Sequence, residues 1–128
     1  MTEQPTIVLD ASALLALLRE EPGADEVERV LDGSLMSCVN LSEVLQKAEP
    51  HAVDVEGLEH DLEALGVRFA PFDTPAARSS AELWSSGAGL SLGDRACLAL
   101  AASVDGVALT ADHRWTGAGL GVHVEQIG

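Results

Sequence analysis

The chain has no tyrosine, two phenylalanines, two tryptophans and two cysteines, and only seven Lys or Arg against 21 Asp or Glu. Each shortage removes a class of function. With so few aromatic rings, single-stranded nucleic acid cannot be held mainly by base stacking. Without a basic surface, duplex DNA cannot be held by counterion release, so direct duplex binding by this chain alone is not expected. The basic residues Arg19, Arg29, Lys47, Arg68, Arg78, Arg95 and Arg114 stand singly, and the formal charge is −14. Such a charge favours a divalent metal or a basic protein as companion. Cys38 and Cys97 form neither a CxxC pair nor a disulfide framework and read as small buried hydrophobes. No apolar run approaches the roughly 20 residues of a membrane span. Met1, Thr2, Glu3, Gln4 and Pro5 offer neither a basic region nor an apolar signal core. A reducing, cytoplasmic location without membrane association is the expectation.

What is present is aliphatic and evenly patterned. Hydrophobic residues make up 47% of 128, and charged ones 22%, which fits one globular domain over residues 1–128. Short apolar runs predict strands at Thr6–Asp10, Ser34–Cys38, Val67–Pro71, Val107–Thr110 and Val122–Val124. Helical spacing predicts helices around Leu14–Leu18, Ala24–Leu31, Asn40–Ala48, Val55–Leu65, Thr74–Ser85 and Ser91–Val104, with Pro22-Gly23, Gly33, Gly66 and Gly87–Gly89 as breaks. Continuous apolar strands alternating with helices imply an α/β fold: a three-layer α/β/α sandwich around a parallel, roughly five-stranded sheet. Ligands of such sheets sit at the carboxyl ends of the strands.

Four acids fall on that edge. Asp10 ends the first strand, Glu43 lies on the helix after the second, Asp94 begins the long apolar helix, and Asp112 follows the fourth strand. Carboxylate oxygens suit hard cations such as Mg²⁺ and Mn²⁺, which activate water for phosphodiester cleavage. His51, His60, His113 and His123 lack zinc-ligand spacing. Structural roles compete for each acid. Asp10 can cap the helix beginning at Ala11, and Asp112 a short helix through Trp115. Asn40-x-x-Glu43 and Ser91-x-x-Asp94 read as capping boxes. Glu43 points away from the stripe of Leu41, Val44 and Leu45, whereas Asp94 shares a line with Cys97, Leu98 and Ala101, where a charge needs amide donors, a partner or a metal. Trp84 and Trp115 read as packing or partner-contact residues, and Arg95 and Arg114 as members of surface ion pairs or as the arginines nearest the mouth of the site.

Four segments, Val8–Ala16 (VLDASALLA), Val39–Val44 (VNLSEV), Gly89–Leu100 (GLSLGDRACLAL) and Leu109–Trp115 (LTADHRW), occur in this order. Together they resemble PIN-domain ribonucleases, and most closely the toxins of VapBC-type toxin–antitoxin systems. The resemblance spans nearly the whole chain. It implies a PIN-like fold, with Asp10, Glu43, Asp94 and Asp112 as metal-binding catalytic acids and Ser12 and Thr110 as polar supports. It also implies Mg²⁺- or Mn²⁺-dependent endonucleolytic cleavage of RNA, homodimerisation and neutralisation by a cognate antitoxin. Where members of that group often carry a basic residue before the GLSLGD segment, this chain has Trp84–Leu90 with none. Two other functions fit parts of the pattern. Asp10 can be an aspartyl nucleophile for phosphoryl transfer, as in haloacid-dehalogenase-like phosphatases or receiver domains. Ser12, however, stands where the phosphatases need a second Asp, and Lys47 is the only lysine where a receiver needs one late in the chain. An inactive PIN-like binding module would need no metal at all.

Overall fold

The computed structural model describes residues 4–48, 54–85, 88–115 and 121–128. Five strands, β1 (Ile7–Leu9), β2 (Leu35–Ser37), β3 (Arg68–Ala70), β4 (Val107–Thr110) and β5 (His123–Gln126), form one sheet in the order β3-β2-β1-β4-β5. Every pairing is parallel, with Val8 opposite both Leu35 and Ala108. Among the described residues six helices connect them: α1 (Ala11–Leu18), α2 (Ala24–Val30), α3 (Cys38–Ala48), α4 (Leu58–Ala64), α5 (Thr74–Glu82) and α6 (Leu92–Ser103). None of the described helices is long and apolar enough to cross a membrane.

Alternation along the strands divides the core in two. Leu9, Met36 and Leu109 join residues of α1, α2, α3 and α4 on one face. Val8 and Ala108 join Cys97, Leu98 and Ala101 of α6, together with Trp115, on the other. The expected three-layer α/β/α sandwich is the observed one. All four residues of β4 are buried, as a strand covered on both faces requires. Cys38 is exposed, against the expectation of a buried thiol, because α3 starts there rather than two residues later. Ser37 both ends β2 and accepts the Val39 N–H at its hydroxyl (3.2 Å), so strand passes into helix without a loop. The predicted break at Gly87 lies outside the described residues. Trp115 is buried, whereas the side of Trp84 faces solvent (64% exposed).

Strand order reverses direction between β1 and β4, whose neighbours lie on opposite sides of the pair. A crevice therefore opens beyond their carboxyl ends. Asp10 leaves β1 and Asp112 follows β4 at that point, with the first turn of α6 alongside.

Candidate functional site

Asp10 is the buried acid of the group, with 5% of its surface exposed. Asp10 stands at the N-cap of α1, as the capping alternative expected, and the Ala11 N–H acts on its carboxyl, but its side chain makes no capping hydrogen bond further along the helix. Two hydroxyls donate to Oδ2: Ser12 Oγ at 2.6 Å and Thr110 Oγ1 at 2.9 Å. The hydroxyls in turn accept backbone N–H groups, Ala111 to Ser12 (2.9 Å) and Asp112 to Thr110 (3.0 Å). This relay fastens the end of β1 to the end of β4. Loss of water raises the Asp10 pKa above the ordinary carboxylate range, against the two hydroxyls, and the charge of Asp94 pushes it further up.

Asp94 sits at the third position of α6. Ser91 accepts the Asp94 N–H and Asp94 Oδ2 accepts the Ser91 N–H (2.9 Å), so the expected capping box is formed. Glu43 stands on α3 and leans on Gly93, where an added Cβ would overlap both of its carboxylate oxygens. Asn40 is fully buried inside the first turns of α3, and its amide donates to Glu43 Oε1 (2.9 Å) and to the Gly93 carbonyl (3.0 Å). The expected Asn40–Glu43 capping box is thus absent: the helix begins before Asn40, and the amide bridges two helices. Asn40 Oδ1 is buried without a hydrogen-bond partner among the described residues. Asn40 and Gly93 are the residues that sequence reasoning missed. The polar interruption beside Val39 and Leu41 was the available sign of Asn40, while Gly93 shows its purpose only once two helices meet.

Asp10, Glu43 and Asp94 converge on one neighbourhood. All three charges act on the Cys97 thiol, which is fully buried and kept protonated chiefly by burial and then by those acids. Asp112 is turned elsewhere. Its two oxygens are taken by Arg114, with Nε at 3.0 Å from Oδ1 and Nη2 at 2.7 Å from Oδ2. The Arg114 backbone N–H also binds Oδ1 (2.9 Å), closing a turn rather than capping the expected short helix. These bonds from Arg114 hold the Asp112 pKa below the usual range. Behind it, Gln126 Nε2 donates to the carbonyls of Asp112 (3.3 Å) and Trp115 (2.8 Å), pinning the turn to β5.

The donor chemistry suits a hard divalent ion. Asp10, Glu43 and Asp94 each commit one oxygen to a protein donor, and the second meets no side-chain donor among the described residues. Among the described residues, no cation acts on the buried Asp10 charge. Oxygen ligands with uncompensated negative charge are what Mg²⁺ and Mn²⁺ select. Among the described residues, no three His, Cys, Asp or Glu side chains are placed so that together they could hold a metal ion.

A family model described as PIN domain matches residues 7–119. Among solved structures the chain is similar to a toxin–antitoxin complex from Klebsiella pneumoniae, at 18% identity over 94% of this chain and 97% of that one, with a TM-score of 0.74. It is also similar to FitAcB from Neisseria gonorrhoeae (24% identity, 93% and 96% covered, TM-score 0.70). VapBC2 from Rickettsia felis, bound to a DNA fragment from its promoter, gives 14% identity, 96% and 99% coverage and a TM-score of 0.68. At these identities the likeness is one of fold. No curated protein matches the chain.

Proposed function

The chain belongs to the PIN domain family, and on that premise we propose that it is a Mg²⁺- or Mn²⁺-dependent endoribonuclease, the toxin of a VapBC-type pair. The observation that carries this reading is the convergence of Asp10, Glu43 and Asp94 beyond the β1–β4 switch point, where among the described residues no cation acts on the buried Asp10. Asp10, Asp94 and Asp112 would hold the metal, and Glu43 would complete the shell or orient the attacking water. When bound, the ion supplies a water of lowered pKa and offsets charge developing on the phosphate. The remaining work belongs to the protein. Ser12 and Thr110 hold Asp10 in one rotamer with its free oxygen available, Asn40 fixes Glu43, and the capping box fixes Asp94. At Asp10, burial keeps bulk water from weakening the charge.

We assign the partners on charge. A surface summing to −14 attracts a basic antitoxin segment and speeds its association. Toxin–antitoxin complexes among the structural neighbours agree with that assignment. A cytoplasmic homodimer built from one nuclease domain over residues 1–128 completes the proposal. The test is Asp10→Asn and Asp94→Asn in purified protein. Both variants should keep the circular-dichroism spectrum and lose Mn²⁺-dependent RNA cleavage by about 100-fold or more, as loss of a transition-state charge stabiliser does. Wild-type cleavage rates in folded variants freed of contaminating nuclease would overturn the assignment.

A further inference from the structure

Asp112 cannot hold a guanidinium and a divalent ion through the same lone pairs. In this structure both of its oxygens are bound by Arg114, in a forked arrangement with the backbone N–H as a further donor. The Arg114 side chain is 85% exposed, and Asp112 and Asp94 are the acids that act on it. Arg95, the other arginine near this edge, donates to the Ser80 carbonyl between α5 and α6 and is committed to packing. Swinging the Arg114 side chain away frees Asp112 Oδ2, while the Arg114 backbone N–H stays on Oδ1. The turn that carries it is held by Gln126 and by the buried Trp115.

We propose that Arg114 is a resident counter-ion that occupies Asp112 until a divalent ion is held there, and that the freed guanidinium then binds a phosphate of the RNA. The inference rests on the nuclease reading above. Guanidinium is a fork that fits carboxylate and phosphate alike, so one side chain can serve both positions. It also accounts for how so acidic a chain engages a polyanion: the cation is stored at the site and released when the acids are neutralised.

The test uses the full chain, Mn²⁺ as the probe, and two readouts: metal affinity without RNA, by calorimetry or electron paramagnetic resonance, and steady-state cleavage of a short RNA. Arg114→Ala should bind Mn²⁺ about two- to fivefold more tightly, the scale of an exposed ion pair. Its KM for RNA should rise by about threefold or more with kcat little changed, since a charge-assisted phosphate contact is gone. Arg114→Lys should also tighten Mn²⁺ binding, because an ammonium cannot chelate both oxygens, yet keep KM near wild type. In an Asp112→Asn background, Arg114→Ala should leave Mn²⁺ affinity unchanged. Equal Mn²⁺ affinity in wild type, Arg114→Ala and Arg114→Lys overturns the counter-ion role, even where Mn²⁺ binding and cleavage persist and the nuclease reading stands. An unchanged KM in Arg114→Ala overturns the phosphate contact. Absence of Mn²⁺ binding and of cleavage in wild type and variants alike overturns the nuclease reading and this inference with it.

Discussion

At Asp10, two hydroxyl donors do not offset the loss of water, and the folded protein holds a proton more tightly there than the unfolded chain does. An acid whose pKa is raised by folding stabilises the fold fully below the unfolded pKa. That stabilisation is lost as pH rises through the folded value, because unfolding in that window releases a proton. The metal-free protein therefore carries at neutral pH the cost of a buried charge. Asp10→Asn should raise metal-free stability at pH 7 by on the order of 1 kcal/mol, with the gap closing towards pH 4. Urea unfolding in a chelator at both pH values checks this, and Mn²⁺ should stabilise wild type alone. A variant less stable than wild type at pH 7 in chelator would contradict the burial argument. The sequence placed Asp10 at a strand end but left capping and catalysis as rivals. Of the two deciding contacts on one oxygen, that of Ser12 is local but that of Thr110 joins residues 100 positions apart, beyond what local spacing can reveal.

Between elements, α3 and α6 meet where Glu43 lies against Gly93 and Asn40 spans the two helices. Gly93→Ala separates stability from function. Alanine is the better helix former by about 1 kcal/mol, so the variant should unfold within about that margin of wild type. Its methyl group, however, would displace the Glu43 carboxylate. Mn²⁺-dependent cleavage should fall by about tenfold or more, as a misplaced group near the reacting atoms requires. Retained full activity would show that Glu43 needs no support from this contact. The strands and most helices were legible because each buries an apolar run or stripe. The start of α3 was not, because Leu35 to Val39 is one nearly apolar stretch serving two elements, with Ser37 as the hinge. That displacement turned Asn40 from a bridging amide into an apparent cap.

Across the whole molecule, charge sets the sign of every encounter. Even two bound divalent ions leave −14 + 4 = −10 on the chain, so on the proposed nuclease reading an RNA would meet a net repulsive body and be retained only by local cations. Repulsion between like-charged partners weakens as the Debye length shortens, from about 30 Å at 0.01 M salt to about 10 Å at 0.1 M. With Mn²⁺ saturating and RNA below KM, kcat/KM should therefore rise over that range of KCl, opposite to the fall that counterion release gives a basic nuclease. Association with a basic antitoxin should slow over the same range, because steering by opposite charge is screened. Stopped-flow association and cleavage rates, measured at matched salt, compare the two slopes directly. Parallel decreases would mean that a local basic patch, rather than the total charge, governs RNA capture.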